Sequence, residues 1–138
     1  MRNGYEYITD DLGRLSEARA ATLRLAEDTP RHPYSADVGN LGGAEYQGGH
    51  PIARLFGGAS EGVTLFPQLA SVNNGAFGSL EAGWRRAIDP ALGGREGAIT
   101  NVRVQLVYDP GNTTIVPDRY IVTWDENGVP RSTPPFEN

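Results

Sequence analysis

Apolar and polar positions alternate most regularly in the last third of the chain. Val102, Val104, Leu106 and Tyr108 alternate with Arg103, Gln105 and Val107, and the run stops at the turn Asp109-Pro110-Gly111-Asn112. A period of two places successive side chains on opposite faces, which predicts a strand with one buried face. A second run, Tyr120–Trp124, ends at the turn Glu126-Asn127-Gly128 and supplies a partner. Tyr5–Thr9 alternates weakly ahead of the turn Asp10-Asp11-Leu12-Gly13. The stretch Arg14–Leu25 fits two patterns. Leu15, Ala18, Thr22 and Leu25 suit a helix, whereas Leu15, Thr22 and Leu23 suit a strand returning from the turn; the hairpin is favoured.

The period changes in the middle of the chain. Phe77, Leu80, Trp84 and Ile88 stand at i, i+3, i+7 and i+11, one apolar stripe on a helix spanning about 74–89 that Pro90 stops. Gly75, Gly78 and Gly83 each cost about 1 kcal/mol relative to alanine inside a helix, so packing must hold this element. Residues 29–62 are rich in glycine and proline, and so long an irregular stretch is uncommon in a compact domain unless it is functional. No repeat or linker divides the chain, and a single α+β domain over 1–138 is expected: an antiparallel sheet packed against the helix, with long Gly-rich loops. Residues from about 130 to 138 are expected to form a flexible tail.

Composition narrows the chemistry. Cysteine is absent, which removes disulfides, thiolate metal sites and cysteine nucleophiles. All 12 basic residues are arginine, so Schiff-base and Walker-type lysine chemistry are excluded as well. No apolar run approaches the roughly 20 residues of a membrane-spanning helix, and the N-terminus lacks the pattern of a secretory leader. The net charge of −5 disfavours a uniformly basic nucleic-acid surface. Residues 31–105, however, are balanced at six arginines against six acids, and a bound cation would make that segment locally positive.

Two histidines are available. His32 lies in the proline-rich Pro30-Arg31-His32-Pro33 and reads as a solvated loop residue. His50 follows two glycines and precedes Pro51-Ile52-Ala53, where a loop meets a buried strand. By itself this placement divides evenly between a structural and a catalytic histidine. Imidazole is the side chain suited to deprotonating water near neutral pH. A hard cation such as Mg²⁺ needs only one or two protein oxygens, because it keeps several waters. Asn73 and Asn74 offer such oxygens, although asparagine ahead of a helix is also a good cap. Glu81 follows two turns later; on a continuous helix it lies roughly 80° around from Asn73, so both border one site.

These pieces come in a familiar order. Gln47-Gly48-Gly49-His50, Thr64-Leu65-Phe66-Pro67-Gln68, Asn73-Asn74-Gly75-Ala76-Phe77 and Leu80-Glu81 resemble the DNA/RNA nonspecific endonucleases of the ββα-metal (His-Me finger) superfamily. The family patterns are DRGH, N-x-x-P-Q, N-x-G-x-W/F and L-E. The run Gly48–Gly58 resembles the toxin-associated branch with its GGH motif, as do Asp10-Asp11-Leu12-Gly13-Arg14 and Pro117-Asp118-Arg119-Tyr120. The resemblance covers most of residues 5–128. It implies a ββα-metal core in which His50 activates water, Asn73 ligates one Mg²⁺ (with Mn²⁺ as a substitute) and Glu81 holds metal-bound waters. Gln68 would support the site by orienting Asn73, and both Gln68 and Asn74 would contact substrate. Gln47, Gly48 and Thr64 depart from the patterns, and Phe77 stands where tryptophan is usual; Gln47 replaces an aspartate, so a neutral amide is expected to support His50.

An arginine is expected to brace the scissile phosphate by bidentate hydrogen bonds. Arg54 is first by proximity, with Arg103 and Arg119 as further substrate contacts. The implied activity is Mg²⁺-dependent, sequence-nonspecific cleavage of DNA, with RNA a second substrate, because backbone contacts carry no base information. The resemblance also implies a bacterial toxin module, secreted or delivered into a target-cell cytoplasm and neutralised by a cognate immunity protein. Two other readings compete: a degenerate ββα-metal domain that binds nucleic acid or protein without cutting, and a toxin acting as a glycohydrolase or ADP-ribosyl transferase. The last needs a glutamate-centred site with an arginine or serine partner, and no such constellation is ordered in the chain.

Overall fold

The alternating segments form one antiparallel sheet whose strands run β1 (Tyr5–Thr9), β2 (Leu15–Thr22), β5 (Ile99–Val107), β6 (Arg119–Glu126) and β7 (Val129–Ser132), with β8 (Phe136–Glu137) also paired to β6. The computed structural model describes residues 4–25, 42, 45–52, 56, 58 and 65–138. β1 (Tyr5–Thr9) and β2 (Leu15–Thr22) are a hairpin, so the strand reading of Arg14–Leu25 holds. Its turn is closed by Asp10, whose Oδ1 accepts from the backbone N–H groups of Leu12 and Arg14 at 3.0 and 2.9 Å. β5 (Ile99–Val107) lies between β2 and β6 (Arg119–Glu126). Ala18, Ala20, Val102, Val104, Tyr120, Val122 and Trp124 are buried on the inner face of these three strands. Arg19, Arg103 and Thr123 occupy the alternate positions and point to the outer face.

A second layer covers the inner face. It consists of the hairpin β3 (Tyr46–Gly49) and β4 (Phe66–Leu69), then α1 (Ala70–Asn74) and α2 (Ala76–Ile88). The apolar stripe of α2 meets the sheet as its spacing predicts: Phe77, Trp84 and Ile88 are buried and Leu80 packs at the margin. Trp84 makes an edge contact with Trp124 at 5.5 Å between ring centroids, and Phe77 lies 5.3 Å from Tyr120. Aromatic pairs in such geometry add to the stabilisation that area burial gives. Pro90 ends the helix, and Asp89 caps the following 3₁₀ turn, Pro90–Leu92, by accepting from the Ala91 N–H.

Two expectations change. The helix expected at about 74–89 is α2, Ala76–Ile88, but a further helix, α1, precedes it and is separated from it by a break at Gly75, whose φ and ψ are −102° and −110°. The turns abut so closely that a Cβ on Gly78 would lie 2.8 Å from the Asn73 carbonyl oxygen. Gly75 and Gly78, which cost helix propensity, are thus what lets the two helices meet this closely, whereas a Cβ on Gly83 would meet nothing nearer than 3.8 Å. The flexible tail is not observed either: β7 (Val129–Ser132) and β8 (Phe136–Glu137) extend the sheet. Phe136 stacks on Tyr120 at 5.1 Å. The Asn138 side chain accepts from the Leu69 N–H and donates to the carbonyls of Pro67 and Pro117, which ties the β3–β4 hairpin to the sheet. Most of the Gly-rich stretch 29–62, including His32, lies outside the described residues.

Candidate active site

The β3–β4 hairpin fixes where His50 stands. Gln47 pairs with Gln68, Gly48 with Pro67 and Gly49 with Phe66, so His50 is the first residue beyond the last paired position, partly buried. Gly49 cannot carry a side chain there: its Cβ would lie 2.5 Å from Gln68 Oε1 and 2.6 Å from Gln68 Cβ. That close approach explains the second glycine of the Gly48-Gly49-His50 motif and brings Gln68 directly beneath the strand that presents the histidine.

The resemblance gives Gln68 the tasks of orienting Asn73 and meeting substrate; it does neither. It is fully buried, and its Nε2 donates to the Tyr120 hydroxyl at 2.7 Å, which joins the hairpin to the sheet. Its Oε1 finds no partner among the described residues. Tyr120, absent from the sequence-based site, is therefore part of its foundation. Burial raises the Tyr120 hydroxyl pKa; the bond from Gln68 opposes the shift, and the nearby charge of Glu81 adds to it. The tyrosine is readable as an inner-face position of β6, but its glutamine partner is 52 residues away in sequence.

Asn73 lies in the last turn of α1, and its Nδ2 donates to Gln47 Oε1 at 2.7 Å. The amide expected to support His50 is thus bonded to Asn73. Because the helix breaks at Gly75, the angular estimate for Asn73 and Glu81 on one continuous helix does not apply. Glu81 projects from α2, partly buried, near enough to Tyr120 to perturb it. It makes no hydrogen bond or ion pair among the described residues, and burial alone raises its carboxyl from 4.5 to about 7. A buried carboxylate without a cation is costly, because desolvation disfavours its charged form. Among the described residues no group of three or more His, Asp or Glu gathers to form a protein-only cage. The amide oxygen of Asn73 and the unpaired carboxylate of Glu81 are instead of the donor types that a hard cation retaining most of its waters would take.

The arginines fall differently from expectation. Arg103 lies on the outer face of the sheet, away from α2, and is ion-paired with the buried Glu17 through its Nε. Arg119 is also committed, with both terminal nitrogens donating to the Asp109 carboxylate at 2.8 Å. Neither is available to brace a phosphate at His50. Arg54 and Thr64 lie outside the described residues, as does the side chain of Asn74. Arg119→Ala is therefore expected to lower the melting temperature by a few degrees at most, as solvent-screened ion pairs contribute little, while kcat stays within about twofold. Thermal melts and initial cleavage rates check both halves.

A hairpin that ends in histidine, followed by a helix packed on the same antiparallel sheet, is consistent with a ββα-metal core. Solved structures share this architecture. NucA from Streptococcus agalactiae with no metal bound superposes with a TM-score of 0.65 at 17% identity, covering 96% of this chain and 67% of that one. The same protein with magnesium ion bound gives 0.66 at 18% identity, covering 96% and 69%. None of the curated proteins matches the chain. Residues 1–127 match the family described as DNA/RNA non-specific endonuclease, and the chain belongs to it. It is a nuclease, a hydrolase acting on nucleic acid.

Proposed function

We propose that this protein cleaves DNA, with RNA as a second substrate, without sequence preference and with Mg²⁺ as its metal, Mn²⁺ serving as a substitute. The observation that carries the reading is the unpaired, partly buried carboxylate of Glu81 in the layer that also presents Asn73 and His50. Asn73 Oδ1 and Glu81, the latter through bound waters, would hold the cation. Once bound, it would offset charge on the phosphate and on the leaving 3′ oxygen. His50 accepts the proton of the attacking water, whose oxygen forms a bond to phosphorus as the P–O3′ bond breaks. The 3′ oxygen leaves with a proton from solvent, giving a 5′-phosphate. Arg54 is the arginine proposed to brace the phosphate, since Arg103 and Arg119 are paired with acids. Contacts restricted to the backbone make the cleavage indifferent to base.

The Gly48-Gly49-His50 motif supports a place in the toxin-associated branch of the family. In that role the domain is delivered into a target-cell cytoplasm and held inactive in its producer by an immunity protein. With a net charge of −5, the nuclease offers little bulk attraction to an acidic inhibitor. The immunity partner should therefore bind through a neutral or basic face, or through a local cleft. The direct test of the catalytic reading is supercoiled plasmid incubated with the folded protein. Mg²⁺ should yield relaxed and then linear plasmid, and EDTA should stop the reaction. Intact plasmid in both conditions would overturn it.

A further inference from the structure

We infer that Gln47 is a positioning residue for metal binding: it turns the Asn73 amide so that Oδ1 faces the cation. This rests on the proposed role of Asn73 as ligand. A primary amide has one acceptor oxygen and one donor nitrogen, and only the oxygen can bind a hard cation. Rotated by 180°, the same side chain would point its nitrogen at the metal. Gln47 Oε1 accepts from Asn73 Nδ2 at 2.7 Å, which places the nitrogen on the strand side and directs Oδ1 the other way. Asn73 sits in the final turn of a five-residue helix, next to the break at Gly75, where backbone hydrogen bonding restrains it least.

The geometry gives position 47 a task different from orienting the histidine. Gln47 lies opposite Gln68 in the β3–β4 ladder, three residues before His50, so the strand that presents the base also fixes the proposed ligand. Its side chain is exposed, so its replacement should leave the core intact. What position 47 must supply is an acceptor. Glutamate meets that need, because an ionised carboxylate can only accept. Leucine has a similar volume and cannot.

The test measures Mn²⁺ binding to the whole protein by titration calorimetry and by electron paramagnetic resonance, without substrate, with melting temperatures recorded in parallel. Outer groups that orient metal ligands typically contribute 10–100-fold to affinity. Gln47→Leu is therefore expected to weaken Mn²⁺ binding by at least about tenfold, at a melting temperature close to the parent's, and Gln47→Glu to restore it. Gln47→Ala, which removes the acceptor without adding apolar bulk, should match Gln47→Leu. Asn73→Ala provides the separate control. If Asn73→Ala leaves Mn²⁺ binding unchanged, the assignment of Asn73 as ligand fails. If Asn73→Ala abolishes binding while Gln47→Leu and Gln47→Ala bind as the parent does, the positioning role fails and the ligand assignment stands. Equal loss in Gln47→Leu and Gln47→Glu would overturn the acceptor requirement.

Discussion

His50→Ala is expected to slow Mg²⁺-dependent plasmid cleavage by about 10²–10⁴-fold, the usual contribution of a positioned general base. The melting temperature should change by no more than a few degrees. The side chain stands just beyond the last paired residues of β3 and β4 and is only partly buried, so its loss removes little apolar contact. The proposed metal ligands lie on α1 and α2, so Mn²⁺ affinity should stay close to that of the parent. A loss of rate with metal binding and fold retained would separate base catalysis from site assembly. Added imidazole should recover part of the activity, since the truncated side chain leaves space where a free base can act. A rate within about threefold of the parent would take His50 out of the mechanism.

Much of this arrangement is readable from periodicity, and the unread parts share a physical reason. Alternation in Val102–Tyr108 and the stripe Phe77, Leu80, Trp84, Ile88 report which side of an element is buried, and both faces meet the core as expected. Periodicity does not report what lies opposite. Gln68 looks like a polar site residue until the fold places the Tyr120 hydroxyl against it. Arg103 and Arg119 look like candidate phosphate contacts until strand register and the β5–β6 loop supply Glu17 and Asp109. The break at Gly75 escapes a helical pattern for a similar reason. What matters there is the distance between the missing Cβ of Gly78 and a carbonyl in the preceding helix. The C-terminal strands are hidden by polar composition: Val129–Ser132 is exposed throughout and is held by pairing to β6 rather than by burial. The place of His50 at the end of the hairpin, by contrast, is legible because glycines leave a local mark. Gly49 is required by a contact within the same hairpin, and a short motif can record that.

Glu81→Gln is expected to make the metal-free protein more stable and the enzyme far less active. The Glu81 carboxyl is raised from 4.5 to about 7 by burial, so the folded protein holds its proton more tightly than the unfolded chain does. Below pH 4.5 the group is protonated in both states and has no effect on stability. As pH rises toward 7 the unfolded chain ionises first, and the folded state is progressively disfavoured; above 7 the penalty is complete. Each pH unit separating the folded and unfolded titrations is worth about 1.4 kcal/mol, so the penalty at pH 8 is on the order of 3 kcal/mol. Glutamine keeps the shape and removes the charge. Its gain in melting temperature should therefore be several degrees at pH 8 and should vanish near pH 4.5, in chelator-treated protein. Two other carboxyls are lowered instead: at Asp10 burial is outweighed by hydrogen bonds from Arg14 and Leu12, and at Asp118 the hydrogen bond from Asn112 dominates. Both act oppositely, at still lower pH, and cancel in the comparison. Adding Mg²⁺ should reverse the order, because a cation that binds the native parent stabilises it by mass action and the variant loses most of that gain. Mn²⁺ affinity of the parent should fall as pH drops through 7, where protons compete for the carboxylate; that of the variant should be weak and flat across the same range. Equal melting temperatures at pH 8 would mean that Glu81 carries no buried charge. Undiminished Mn²⁺ binding by the variant would mean that the charge serves something other than the metal.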